Sequence, residues 1–110
     1  MAPDVVVGIE DIAYAVPEGI IETNEALIET HGFDAKFITE KLGIEERRKV
    51  GPDETVSGLS VRAARTLLEA TKTDPASIEF LAVVTQTPDY CLPHVGAIVQ
   101  QELGLPTSVA

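Results

Sequence analysis

Cysteine is almost absent from this sequence, and its scarcity bears on where the protein can exist. Cys91 is the single cysteine among the 110 residues. One thiol cannot form an internal disulfide, so a small secreted scaffold held together by crosslinks is excluded. Thiols persist in reducing compartments, and the cysteine content therefore favours one.

Positive charge is also scarce. Eight Lys and Arg residues stand against 18 Asp and Glu residues, and the difference, 8 − 18, gives a formal net charge of −10. Binding to nucleic acid or to anionic headgroups depends on basic side chains that neutralise phosphates. We therefore expect neither a nucleic-acid partner nor binding to a membrane surface.

Long apolar runs are missing as well. No run approaches the roughly 20 residues that a membrane-spanning helix needs. The first residues, Met1-Ala2-Pro3-Asp4, lack the basic region and apolar stretch of a signal peptide. The sequence thus predicts a cytoplasmic location without a membrane span.

What the sequence does contain is an alternation of strand and helix patterns. Runs of β-branched residues bounded by turn residues predict strands, and apolar residues at spacings of three and four predict helices between capping residues. The expected elements are a mostly buried strand at 5–16, short helices at 25–30 and 34–43, a solvated strand or loop at 44–50, a helix at 55–71, a turn or one-turn helix at 74–75, a buried strand at 78–85, a helix at 94–103 and the opening of another strand by 110. This order is typical of a parallel α/β sheet.

Two clear strands are too few for such a sheet, which usually has about four to six. The pattern therefore indicates one partial domain over residues 1–110, without an internal boundary, that is a piece of a larger domain.

The loop at 86–93 is the best candidate for a site on physical grounds, because loops at the carboxyl ends of parallel strands line the ligand crevice. It contains Cys91, but no neighbouring helix terminus or His-Asp pair would activate the thiol, so we interpret it as a structural or incidental thiol. His31 and His94 lie at helix ends without a second ligand at metal spacing, and no metal site is expected.

Several stretches, in this order and spacing, resemble the β-ketoacyl-acyl carrier protein synthases III of the thiolase superfamily. They are residues 8–17 followed by Thr23-Asn24-Glu25, residues 42–48, residues 52–56 leading into Ala63-Ala64, and residues 83–89 with Pro93, Gln100 and Leu103-Gly104. The resemblance covers the chain from Gly8 to Ala110. It implies the layered α-β-α-β-α thiolase-like fold, of which this chain would be the first part of the amino-terminal half.

The resemblance also implies an activity. Enzymes of this family condense an acyl-CoA with a malonyl thioester by decarboxylative Claisen chemistry in fatty acid or polyketide-type biosynthesis, using a catalytic cysteine with a His and an Asn. The family pattern puts all three after Ala110, so this chain would hold no catalytic residue and be inactive alone. By the same pattern Cys91 is not the nucleophile.

Three residues match substrate-binding positions of the family. Phe37 takes the place of an aromatic residue, usually Trp, that stacks on the adenine of coenzyme A, and Lys41 takes the place of an Arg at the cofactor entrance. A core phenylalanine and a solvated lysine are the alternatives. Leu92 replaces a Phe that reaches across the dimer interface into the partner's acyl pocket, and the smaller side chain predicts room for a longer or branched acyl group.

The implied partners are the remaining carboxy-terminal part of the enzyme, a second copy in a homodimer, acyl-CoA and an acyl carrier protein. No cofactor is expected, since coenzyme A enters as the thioester substrate. Because carrier proteins are acidic, a chain at −10 supplies little basic surface for docking beyond Arg47, Arg48 and Lys49.

Three alternatives stay open. The chain could come from an acyltransferase of the same fold that makes an ester, an amide or a hydroxymethylglutaryl-type product. It could be a non-catalytic half that pairs with a separate chain bearing the cysteine. It could also be a small α/β binding domain that folds alone.

Overall fold

The computed structural model describes residues 6–110. Two predictions fall partly outside this range: the beginning of the first strand at Val5, and the amino-terminal residues in which no signal peptide was expected. The described chain forms two compact units. One comprises residues 16–55, and the other comprises the residues up to Ala15 together with Val56–Ala110. The prediction of one partial domain without an internal boundary stays a prediction.

The unit at 16–55 is built on an antiparallel pair of short strands. Strand β1 (Ile20–Thr23) pairs with β2 (Glu46–Lys49), with Glu22 opposite Arg47 and Thr23 opposite Glu46. The strand or loop predicted at 44–50 is thus a strand, whereas β1 was not predicted. Glu22 thus faces a residue of opposite charge and also forms an ion pair with Lys49 at 3.4 Å, and such cross-strand contacts stabilise a sheet.

Helix α1 (Asn24–His31) follows β1 directly and begins and ends at the capping residues that the sequence predicts. The Thr23 hydroxyl accepts a hydrogen bond from the Ala26 N–H at 3.3 Å, and Gly32 adopts the left-handed conformation with φ 68°. Gly32 also donates its N–H to the Ile28 carbonyl. These contacts satisfy backbone groups that a helix leaves unpaired at its two ends.

A buried amide fastens α1 to the approach to β2. Asn24 is 7% exposed, and its Nδ2 donates to the Ile44 carbonyl at 2.7 Å. Its Oδ1 accepts from Arg47 Nη1 at 3.1 Å. Both ends of the side chain are therefore bonded, as burial of an amide requires.

The second unit is organised by two packed helices. Helix α2 (Val56–Thr71) and helix α3 (Val95–Leu103) meet at a core of Val61, Val95 and Val99. Val99 is the most deeply buried, at 1% exposure. Both helices were predicted, and Val61 is the most buried apolar residue of α2.

Helix α3 also confirms its predicted ends. His94 lies before its first residue and accepts through Nδ1 from the Ala97 N–H, and Gly104 ends it with φ 66°. A single 3₁₀ turn (Pro75–Ser77) precedes the next segment, and Asp74 accepts from the Ala76 N–H at 2.9 Å. This turn matches the one-turn helix expected at Asp74-Pro75.

The segment at 78–85 forms no strand and is not buried, so the prediction of a buried strand is wrong here. Val84 is 97% exposed and Phe80 is 71% exposed. The segment does begin a parallel pairing, because Ala110 donates its N–H to the Glu79 carbonyl and accepts from the Leu81 N–H. These two hydrogen bonds follow the parallel pattern, but neither 78–85 nor the residues before Ala110 form a strand in the described structure, so the further strand stays a prediction.

The predicted first strand is also neither paired nor mostly buried. Within its described part, residues 6–16, no strand forms, and Val6 is 92% exposed. A strand needs a paired neighbouring strand and a layer to cover its apolar face. The sheet that the described residues form pairs 20–23 with 46–49 and does not include this segment. Among residues 6–110, no helix is both long and apolar enough to cross a membrane.

Candidate functional site

The loop at 86–93 lies between the extended segment and α3. At its beginning, the Thr87 N–H donates to the Thr85 hydroxyl at 3.1 Å. At its end, the peptide bond between Leu92 and Pro93 is cis, and the chain then enters α3 at the buried residue Val95. The loop therefore runs from an exposed local turn into the core of its unit.

Asp89, in the middle of this loop, binds the amino end of α2. Its Oδ1 accepts from the Val56 N–H at 2.8 Å, and its Oδ2 accepts from the Ser57 N–H at 3.1 Å. These N–H groups belong to the first turn of the helix, where no intrahelical acceptor exists. Asp89 thus caps α2 from 33 residues away in the sequence.

The same contacts lower the pKa of Asp89 below its ordinary value near 3.8. The hydrogen bond from the Ser57 side chain is the largest cause, and the backbone N–H groups of Ser57 and Val56 add to it. Burial acts in the opposite direction but is outweighed. The carboxylate is therefore held in its charged form, which suits the positive end of a helix dipole.

Beyond Asp89 the loop presents its side chains to solvent. Leu92 is 84% exposed, Tyr90 is 61% exposed, and the Cys91 thiol is free and exposed. His94 is engaged in capping α3 and not in a pair with Cys91. The interpretation of Cys91 as a structural or incidental thiol stays a prediction.

The second group of candidates lies on a single π-helical turn (Phe37–Leu42) in the other unit. The short helix predicted from Asp34 to Gly43 is present, with Asp34 accepting from the Lys36 N–H and Gly43 ending it at φ 66°. Ile38, at 2% exposure, anchors the turn. Such single turns occur frequently at functional sites.

Phe37 and Lys41 lie four positions apart on this turn. Phe37 is 51% exposed and Lys41 is exposed. The nearby Lys36 and Glu40 form an exposed ion pair at 3.9 Å, whereas Lys41 pairs with no carboxylate of the described residues. The turn therefore offers an aromatic face and a free ammonium, which are suitable for a base and a phosphate.

Phe37 and Lys41 thus share one element, and Leu92 lies on a loop of the other unit. The long-range hydrogen bonds of Asp89 and Asn24 were not predicted. Asp89 occurs in the motif at 83–89 and Asn24 in the motif at 23–25. Nothing in the sequence indicates that Asp89 bonds to a residue 33 positions away or that Asn24 bonds to one 20 positions away. Among residues 6–110, no group of three His, Cys, Asp or Glu side chains could hold a metal ion.

Comparison with known proteins places these features in context. No family model matches the sequence. The chain is 38% identical over 92 residues to a protein named β-ketoacyl-[acyl-carrier-protein] synthase III from Alkalilimnicola ehrlichii. The match covers 82% of this chain but only 28% of that protein.

Solved structures of similar proteins also superpose on most of this chain. A 3-oxoacyl-(acyl-carrier-protein) synthase III superposes with a TM-score of 0.76 at 37% identity, over 91% of this chain and 30% of the other. MvaS in complex with 3-hydroxy-3-methylglutaryl coenzyme A superposes with a TM-score of 0.78 at 33% identity, over 93% of this chain and 24% of the other. The chain thus spans less than a third of the length of these relatives.

Proposed function

Because this chain resembles the β-ketoacyl-acyl carrier protein synthases III and has part of their thiolase-like fold, we propose that it is the amino-terminal part of a condensing acyltransferase. The observation that carries the proposal is the 38% identity over 82% of the chain, combined with a TM-score of 0.76 to a synthase III structure. We use the term full-length protein for this chain together with the proposed remaining part of the enzyme.

The proposed reaction is a decarboxylative Claisen condensation. A cysteine in the remaining part attacks the carbonyl of an acyl-CoA, forms a thioester and releases coenzyme A. A malonyl thioester then loses CO₂, and the resulting carbanion attacks the acyl carbonyl and expels the cysteine thiolate. A His and an Asn in the remaining part stabilise the developing negative charge.

In this proposal the described residues position the substrate and do not form bonds. Phe37 stacks on the adenine of coenzyme A, and the Lys41 ammonium pairs with a phosphate. Leu92 lines an acyl pocket, reaching it across the interface of a homodimer. The exposure of all three side chains supports these roles, because a buried residue could not contact a ligand.

Uncovered apolar surface supports the remaining part as a partner. On the unpaired amino-terminal segment, Val6, Val7 and Ile9 are each more than four-fifths exposed. Val84 is exposed on the extended segment at 78–85. Soluble monomers rarely leave large contiguous apolar patches open. We propose that the remaining part supplies the strands and helices that cover these segments.

We also propose that the enzyme acts in the cytoplasm.

A hydroxymethylglutaryl-type condensation is the second candidate. The superposition on MvaS is as close as that on the synthase III, at 33% identity and a TM-score of 0.78. The two reactions differ in their second substrate, since one uses a malonyl thioester and the other a ketone-bearing thioester.

The experiment incubates the full-length protein with acetyl-CoA and either malonyl thioester or acetoacetyl-CoA, and identifies products by mass spectrometry. We expect a β-ketoacyl thioester and CO₂ from the malonyl thioester. A hydroxymethylglutaryl thioester would instead establish the second candidate. Absence of both products, with each of several acyl-CoA chain lengths, would contradict the proposed class of condensing enzyme.

The carrier of the malonyl group is tested in the same assay. The acidic chain predicts weak docking of an acidic carrier protein to this part of the enzyme. Malonyl-CoA and malonyl carrier protein are therefore compared as donors at low and at physiological salt. If the carrier protein is preferred, its basic docking surface is expected in the remaining part.

A further inference from the structure

Asp89 joins the candidate substrate loop to a helix that is distant in sequence. Its two carboxylate oxygens receive the N–H groups of Val56 and Ser57, at 2.8 and 3.1 Å, and the Ser57 side chain also bonds to it. By contrast, the Thr87 bond to Thr85 is local and exposed. Within the described loop, Asp89 is thus the residue whose side chain bonds to another element.

The loop is fixed again six residues later. Val95 is 3% exposed and packs in the core with Val61 and Val99. Leu92 therefore lies on a short span between two fixed points, Asp89 on one side and Val95 on the other. A short span between fixed ends has few conformations, so the direction in which Leu92 projects depends on both of them.

We propose that Asp89 is a positioning residue that sets the location of Leu92 and through it the selection of the acyl group. This inference rests on the proposed function, in which Leu92 lines an acyl pocket. Asp89 itself does not contact substrate. When Asp89 is removed, the span becomes free at one end, and Leu92 samples positions that discriminate less between acyl chains.

The first experiment measures hydrogen exchange in the 110-residue chain. In Asp89→Ala, we expect the Val56 and Ser57 amides to exchange roughly fivefold faster, the factor that corresponds to loss of one capping interaction. The amides at 90–92 should also exchange faster. The matched control is Asp74→Ala, which removes a cap of the same chemistry that is local to its own turn and should affect exchange at Ala76 alone.

The second experiment measures acyl selection in the full-length protein by internal competition between two acyl-CoAs that differ by two methylenes. The ratio of their kcat/KM values does not depend on the fraction of protein that is folded, so a general loss of stability leaves it unchanged. We expect Asp89→Ala to reduce the ratio roughly tenfold, a discrimination that methylene differences commonly provide. The ratio for Asp89→Asn, which keeps one acceptor oxygen, should lie between those of Asp89→Ala and the unmodified protein. The ratio for Asp74→Ala should equal that of the unmodified protein.

A double substitution tests whether the effect passes through Leu92. In a Leu92→Ala background, Asp89→Ala should change the ratio no further, because the side chain that Asp89 positions is gone. An undiminished effect of Asp89→Ala in that background, or an unchanged ratio in the single variant, would overturn the proposal.

The two experiments separate this proposal from the proposed function. Unchanged exchange at Val56, Ser57 and 90–92 in Asp89→Ala refutes the positioning role, whatever reaction the enzyme catalyses. If the unmodified full-length protein transfers no acyl group, the proposed function fails and acyl selection through Leu92 fails with it. The exchange result then shows whether Asp89 nevertheless fixes the loop.

Discussion

The Asp89 carboxylate couples the stability of its unit to pH. Its pKa in the folded chain lies below the ordinary value near 3.8, first because of the Ser57 side chain. The stabilisation is therefore fully present above pH 3.8 and is lost as the pH falls through the folded pKa. At pH 6 we expect the free energy of unfolding of the unmodified chain to be higher than that of the Asp89→Asn variant by about 0.3–1 kcal/mol.

Urea unfolding at pH 6 and at a series of pH values below 3.8 measures this difference. As the pH falls through the folded pKa of Asp89, the carboxyl becomes neutral and, like the Asn side chain, accepts through one carbonyl oxygen, so the gap between the two chains should narrow. Comparing the two chains at each pH cancels the titration of the other 17 acidic residues, which both share. A gap that persists or widens at low pH would contradict the assignment of the pKa shift to Asp89.

Asn24 is the second residue with a measurable structural role. Replacing it with Ala leaves the Ile44 carbonyl and the Arg47 guanidinium without their buried partner. Loss of such a partner costs about 1–3 kcal/mol of unfolding free energy. Thr39→Ala is the matched control, because Thr39 is exposed and bonds only to the carbonyl one helical turn earlier. Equal losses in the two variants would show that Asn24 has no special role.

At the scale of elements, the packing of α2 against α3 carries the core of its unit. Val99→Ala should lower the free energy of unfolding of the chain by about 2 kcal/mol, because Val99 is 1% exposed. Val84→Ala makes the same chemical change at a residue that is 97% exposed, and should lie within about 0.5 kcal/mol of the unmodified chain. Thermal or urea unfolding followed by circular dichroism compares the two. A cost for Val84→Ala as large as that for Val99→Ala would contradict the described burial.

The elements differ in how far the sequence predicts them. Helices α1 and α3 follow from local signals, since Thr23 and Gly32 bound one and His94 and Gly104 bound the other. Strand β1 was missed because four residues carry little periodic signal and because its partner β2 is distant in the sequence, with Glu22 paired to Arg47, 47 − 22 = 25 positions further along. Pairing of strands is a property of the partner as much as of the segment itself.

The candidate site likewise divides into residues that local motifs predict and contacts that they do not. The residues of the loop and of the π-helical turn could be identified in advance, because Phe37, Lys41 and Leu92 occur in local motifs. The role of Asp89 could not, since a cap normally lies next to its helix and this one comes from 33 residues further along. Non-local polar contacts have no periodic signature in a sequence.

At the scale of the whole molecule, the small basic cluster does not form an open docking surface. Arg47 donates to Asn24, Lys49 pairs with Glu22 at 3.4 Å, and Arg48 pairs with Glu46 at 3.9 Å. Each cation thus has a local partner within the unit at 16–55. With a net charge of −10, this chain contributes little attraction for an acidic carrier protein.

Uncovered apolar residues give a prediction that distinguishes the chain from the full-length protein. Val84→Ala should be nearly neutral in the isolated chain, where the side chain is exposed. In the full-length protein we expect a cost of about 2 kcal/mol, because the proposed remaining part buries this segment. Unfolding of both forms with and without the substitution measures the difference, and Thr66→Ala, an exposed change on α2, is the control. Neutrality of Val84→Ala in both forms would contradict a covering partner at this segment.

Locating the acyl group on the enzyme tests the proposal that this chain is a positioning part of a condensing acyltransferase whose nucleophile lies outside residues 1–110. The full-length protein is incubated with acyl-CoA alone, digested, and mapped by mass spectrometry, beside the 110-residue chain and the full-length Cys91→Ser variant. We predict an acyl thioester on a cysteine outside residues 1–110, retained in Cys91→Ser and absent from the isolated chain. An acyl group on Cys91, or loss of the acyl group in Cys91→Ser, would refute this proposal.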